Sequence, residues 1–543
     1  MHPRLFCLAL ALSASPATAA AQPAAQAMLL PGMGSYSHPI DTASREAQAF
    51  FDQGLALLYN FNHAEAERSF LKAAELDPEA PMPWWGVGVA LGLNYNRDVT
   101  RLEGERLARA CDAADKAVAL SRGRSPVEAA LAEALATRYS RDEKADPEAL
   151  NRRYRDAMRD VHRRFPDDPE VATLYADAMM NVRPWQLWTR DGAPEADTAE
   201  LVALLEGILR RHPNHPGANH YYIHAVEASP TPDRALASAA RLETLVPGAG
   251  HLMHMPTHIY IHTGHIGRVA ELNAKAAAAD ERYIEIARPE GIYPFMYYGH
   301  NVHFMVVGNI LSGRYDDAVA AGRRMVDLVT PHVDDMGPMV EWALALPTLA
   351  HVRFHKWETI LAAPRPPASR ALATAFDCYA RAIALRMTGR PAEARAESEA
   401  FQAARARVTD ETMVVSFNPA PAVLAMVGHL LQGQLAEDAD EAIGHLEEAA
   451  RAQDGFAYDE PEPWPWSVRE TLGAALLKAG RAVDAEKVFR ADLANNPGSG
   501  RTLFGLMKSL EAQGRAVEAA SVQREFQAAW ERATSPLTLE TLF

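Results

Sequence analysis

Eleven of the chain's twenty histidines fall between residues 212 and 303: His212, His215, His220, His224, His251, His254, His258, His262, His265, His300 and His303. His220/His224 and His254/His258 are four residues apart, and His251/His254 and His300/His303 are three apart. On a helix both intervals place side chains on one stripe. The four-residue step is also the one by which a single helix offers two imidazoles to one metal ion. Imidazole suits zinc, copper, iron and nickel, and a chain with three cysteines is poorly equipped for Cu(I)-only or iron–sulfur sites. The cofactor expected is therefore a transition metal: copper, zinc or iron. So many histidines would serve two ions, or one ion with further imidazoles for orientation and acid–base work.

Other chemistries lack support. The sequence holds no GxxxxGK[ST], no GxGxxG after a strand, no GxSxG, no HExxH, no CxxC and no CxxCH, so nucleotide, flavin and covalent-haem chemistry have no motif to rest on. With 54 Lys+Arg against 70 Asp+Glu, the formal net charge is −16. Phosphate binding needs a basic face, so nucleic acid is not an expected partner, and neither is a polybasic membrane anchor. Three cysteines also exclude a disulfide scaffold. At 543 residues the chain is too long for one compact core unless it is a repeat array.

Residues 1–21 read as a secretory signal: Arg4 is basic, Leu5–Leu12 are apolar, and A-x-A steps end near Ala19 and Ala21. A periplasmic or secreted protein without a membrane span is the expectation, with Cys111 and Cys378 as two buried thiols. Residues 22–45, rich in Ala, Pro, Gly and Ser, are expected to form a flexible lead-in.

Helical periodicity begins near residue 46. The segment FFDQGLALLYNFNHAEAERSFLKAAELDP (50–78) is followed by similar ones at 308–328, 387–401, 476–497 and 510–526. In the last four a glycine ends one helix and a small residue sits inside the next (Gly313 and Ala318, Gly389 and Ala394, Gly480 and Ala485, Gly514 and Ala519). Such a glycine closes a helix through a left-handed residue. This pattern resembles the tetratricopeptide repeat (TPR), a helix pair of about 34 residues. The resemblance implies an all-α, right-handed superhelical solenoid of roughly ten to twelve helix pairs. We divide it into N-terminal repeats (46–165), a central His-rich block (166–360) and C-terminal repeats (361–543). The blocks at Phe51–Phe70 and Tyr458–Trp464 are similar to those of secreted bacterial TPR proteins, a likeness that implies no particular activity.

The resemblance also implies a phase. With the closing glycine as position 15, positions 2, 5, 9, 12 and 13 of the first helix face a concave groove. Gly313 then puts His300 and His303 at positions 2 and 5. Gly264 puts His251, His254, His258 and His262 at 2, 5, 9 and 13. Ala235 sets the preceding repeat, with His220, His224 and Glu227 at 5, 9 and 12, and Ala176 places Asp177 at 9 in the repeat before that. The metal-ligand candidates are His220, His224, His251, His254, His258, His300, His303 and Asp177. Equivalent positions predict one row of His220, His254 and His303 and a second of His224 and His258. Glu227 is the candidate base, and Tyr221 and Tyr260 are candidate redox or positioning groups.

Plainer roles also fit. HPNHP (212–216) reads as a Pro-punctuated turn in which His212 and His215 are structural, His262 and His265 flank a helix end, and Pro256 interrupts the stripe. RPWQLWTRDG (183–192) has loop chemistry and could cover the groove mouth. Two functions follow. One is a metalloenzyme, either a copper or iron oxidoreductase or a zinc hydrolase, acting on a small molecule or peptide in the groove. The other is a metal-free scaffold that holds a peptide or an envelope protein.

Overall fold

The computed structural model describes residues 27–96, 101–289, 291–409 and 412–543; the signal expected over 1–21 lies outside them. The chain divides into two compact units: residues up to Ile259 with Lys275–Tyr298, and Tyr260–Ala274 with Gly299–Phe543.

The first unit begins with helix pairs: α1 (Arg45–Tyr59) and α2 (His63–Leu76), α3 (Pro81–Leu91) and α4 (Gly104–Ser121), α5 (Pro126–Ala136) and α6 (Pro147–Arg164), and α7 (Pro169–Met180) and α8 (Thr198–Arg211). They are followed by α9 (Pro216–Val226), α10 (Leu236–Leu245), α11 (Gly250–His254) and α12 (Pro256–His262), then α13 (Ile266–Ala287) and α14 (Tyr293–Leu311). The unit division falls within α12, α13 and α14. The starts are written in the sequence. Ser44 accepts from the Ala47 amide, Asn62 from Glu65, and Asp168 from Glu170 and Val171. Each such cap satisfies amides that the first turn leaves unpaired.

Consecutive helices pack together, and alternate helices also stack, in α1 on α3, α3 on α5 and α7 on α9. This is the TPR-type helical array. One contact departs from it. α1 also packs against α9, so the unit curls until its first helix meets its ninth, and packing is not confined to neighbouring repeats.

The flexible lead-in is corrected from residue 27 onward. The Leu30 amide donates to Gln53 Oε1 (2.6 Å), the Gly248 amide donates to the Gly32 carbonyl (2.8 Å), and the Tyr36 hydroxyl donates to Glu170 (2.5 Å). These bonds tie an extended segment down where composition alone suggested freedom.

The second unit continues with α15 (Tyr315–Val329), α16 (Val333–Val340), α17 (Leu346–Arg353), α18 (Trp357–Ala362), α19 (Ala371–Met387), α20 (Pro391–Arg405), α21 (Ala420–Leu435), α22 (Ala439–Gln453), α23 (Val468–Lys478), α24 (Ala482–Asn495), α25 (Gly500–Ala512), α26 (Ala516–Ala529) and α27 (Leu539–Leu542). A two-stranded hairpin, β1 (Val414–Val415) and β2 (Asn418–Pro419), is inserted before α21. α19 stacks on α21 and α23 on α25. Gly313, Gly389, Gly480 and Gly514 have φ between +73° and +77°, the left-handed closure the repeats predicted. Among the described residues, no helix is long and apolar enough to cross a membrane. Cys111 and Cys378 are buried free thiols.

Candidate metal centre

α9 carries the first two imidazoles. His215 caps it, its Nδ1 accepting the Ala218 amide, and Pro216 occupies the first turn, where no amide partner is needed. Every residue of α9 is buried. A helix buried all round lies inside the fold. One turn apart on it, His220 and His224 bring their ring centroids to 4.8 Å. His251 and His254 lie on α11, and His258 on α12 beyond Pro256. All five are at most 2% exposed.

Ligand nitrogens of His220, His224 and His251 lie within 4.8 Å of one another. The bonds at the opposite edges of two of these rings fix their tautomers. His220 Nδ1 faces the Tyr59 carbonyl at 2.6 Å, and a carbonyl can only accept, so Nδ1–H donates. His224 Nδ1 donates to Glu227 Oε1 at 2.8 Å in the same way. Each Nε2 therefore keeps a lone pair. His220 Nε2 and His224 Nε2 are both buried and without a hydrogen-bond partner. Leaving a buried polar atom unmet costs about 1–3 kcal/mol, and here two such atoms converge.

Glu227 serves two rings. Its Oε2 accepts from His258 Nδ1 at 2.6 Å. His258 Nε2 then accepts from His254 Nε2–H at 2.7 Å. Burial alone would raise the Glu227 carboxyl, but its two imidazole partners outweigh burial and hold it well below the usual carboxylate range. Burial, with His224 adding to it, pushes His220 well below the usual imidazole range, so it stays neutral and able to coordinate. Ligands at 2.0–2.1 Å from a tetrahedral ion stand about 3.3 Å apart. The 2.6–2.8 Å separations around Glu227 are therefore hydrogen bonds that orient the His224 and His258 rings, shorter than the spacing of two ligands on one ion.

Aromatic rings wall the triad. Phe61 lies 4.6 Å from the His220 centroid and 5.4 Å from that of His251. Tyr95 and Trp185 stack on each other and pack against His224 at 5.0 and 5.5 Å. Tyr297 packs against His251 at 5.0 Å. Trp185 meets the His224 ring edge-on.

No protein-family model matches this chain, and no curated protein matches it. Similar solved structures include a human IFIT1 dimer with m7Gppp-AAAA, at 13% identity over 90% of this chain and 91% of that one, TM-score 0.33. Yeast Tom70 is another, at 14% identity over 88% and 96%, TM-score 0.31. Likeness this distant carries no argument, and the repeat fold rests on the helix packing above.

The structure brings His220, His224, His251, His254, His258 and Glu227 together, with four corrections. One predicted row is kept and the other changes: His224 and His258 meet, with ring centroids 5.7 Å apart, whereas His220 of the fifth position converges with His251 of the second instead of His254. The histidines do not line an open groove, since burial encloses them. Among the described residues, Asp177 belongs to none of the converging ligand groups. Burial raises its carboxyl to about 6 against Arg138, Asn181 and Tyr221, which act the other way. Tyr221 spends its hydroxyl on that carboxyl, not on the histidines.

Three candidates belong to the second unit. The Tyr260 hydroxyl takes an N–H from Arg268 (3.3 Å). His300 packs edge-on against Phe304. His303 packs on Trp342, and burial lowers its pKa to about 3. His262 is more than a helix-end cap, being paired with Glu460 in that unit. The Tyr59 carbonyl and Phe61 were missed because contact between α1 and α9 is not a neighbour relation in a repeat, and Tyr95 because it lies beyond the end of α3, outside the repeat pattern.

Proposed function

We propose that the first unit binds one transition-metal ion, copper, zinc or iron, through His220 Nε2, His224 Nε2 and a ring nitrogen of His251. The observation that carries this is the pair of converging Nε2 atoms, each left unpartnered by a bond that consumes the other nitrogen of its ring. Glu227 and the Tyr59 carbonyl are the outer partners that fix the tautomers, an arrangement typical of metal-bound imidazoles. Three imidazoles are the ligand count of catalytic zinc centres, which keep a fourth position for water or substrate. That count supports a metalloenzyme built on a TPR-type array.

The test is metal analysis of the purified, untagged chain beside His220→Ala/His224→Ala, with far-UV circular dichroism confirming the fold of both. About one equivalent of metal in the first and none in the folded variant supports the reading. A metal-free wild-type chain whose stability ignores chelators overturns it in favour of a scaffold.

A further inference from the structure

The first unit also buries an arginine whose guanidinium is only partly hydrogen-bonded. Arg138 follows α5 and is 3% exposed. Its Nη2 donates to the Leu93 carbonyl (2.6 Å), and its guanidinium lies 4.9 Å from the Tyr154 ring centroid. Its Nε and Nη1 are buried without a hydrogen-bond partner among the described residues, although the buried Asp177 carboxylate attracts its charge. Leaving a buried N–H donor unmet costs about 1–3 kcal/mol. Proteins therefore pair such groups, and a planar fork of N–H donors is suited to an oxyanion.

Beside it lies a cavity of about 40 Å³ lined by Arg138, Leu93, Leu102, Leu107, Tyr139 and Leu150. At about 10–15 Å³ of such space for each water, it has room for roughly three waters or one small organic anion. Its walls are mostly apolar. Asp142 and Glu143 stand at the exposed rim, where they accept the Lys144 and Gly104 amides. Rim carboxylates repel a dianion more than a monoanion. We infer that Arg138 and this cavity bind a small monocarboxylate with a short aliphatic tail, its carboxylate on the guanidinium and its tail against the leucines. The site is separate from the histidine cluster and stands or falls without it.

The experiment is calorimetric titration of the full chain with sodium propionate, with sodium chloride and phosphate as controls at matched ionic strength. Propionate is expected to bind saturably and chloride not. Arg138→Lys should weaken binding at least about tenfold, because a point charge replaces a fork, and Arg138→Gln should abolish it. Ala145→Phe, which fills the cavity from its lining while keeping the charge, should also abolish binding and covers the case in which the arginine variants do not fold. Silence with propionate, unchanged binding in folded Arg138→Gln or Ala145→Phe, or phosphate outcompeting propionate would each overturn the inference.

Discussion

The two ends of α9 carry the same residue type in the same degree of burial and treat it differently. At the entry, both nitrogens of His215 are used. Nδ1 accepts the Ala218 amide, Nε2 meets the Tyr36 hydroxyl at 3.0 Å, and that hydroxyl donates on to Glu170, which also takes the Tyr59 hydroxyl. One and two turns further on, His220 and His224 each use one nitrogen and leave the other unmet. A histidine kept for the fold is finished by its neighbours. A histidine kept for a ligand is finished on one side only, and that side fixes the tautomer.

The largest effect should come from the unfinished pair. His220→Ala/His224→Ala is expected to reduce metal affinity more than about 100-fold, beyond the 10–100-fold usual for outer-shell partners, as read by competition with a chromophoric chelator. Retained stoichiometric metal would put the ion elsewhere. Glu227→Gln comes next. An amide can accept from only one of the two imidazole N–H groups and faces the other with a donor, so affinity should fall about 10–100-fold with the fold intact.

Acidification should act on the metal-free protein through its buried neutral imidazoles. Burial, with Arg106 and Arg138, lowers His63 to about 3, and burial does the same to His303. Above pH 6.5 the folded and unfolded states carry the same charge at these sites. Below it the unfolded chain takes up protons that the folded chain refuses, so stability falls as pH drops from 6.5 towards 3. The slope is about 1.4 kcal/mol per pH unit for each such proton. Denaturant titrations across that window check it, and a flat profile contradicts it. The smallest effect belongs to the finished histidine. His215→Ala should cost about 0.5–2 kcal/mol as a lost helix cap and leave metal content unchanged. Loss of metal there would erase the distinction between the two ends of α9.

Much of the fold was legible because helix closure is local chemistry. Gly313, Gly480 and Gly514 announce left-handed ends that the backbone adopts. The same register marks an exception. Counting back from Ala66 as from Ala318, the closing position of the first repeat is Phe61, which takes φ +53° without being glycine. A bulky residue held there is strained, and its ring lies on the histidines. That substitution was visible in the sequence and was the available sign that α1 reaches the site. The membership of the cluster was legible from spacing, since i, i+4 fixes neighbours on one helix. Its exact triad was not, because repeat register alone does not bring a second-position His251 to His220, and burial depends on the curl that brings α1 to α9.

The most direct measurement is an anomalous-difference map from crystals of the untagged protein, collected at the absorption edge of whichever metal co-purifies. A bound ion gives a single peak about 2.0–2.1 Å from His220 Nε2 and His224 Nε2, with Glu227 still on the far edge of His224. No peak, with both Nε2 atoms hydrogen-bonded to ordered water, would contradict the metal centre.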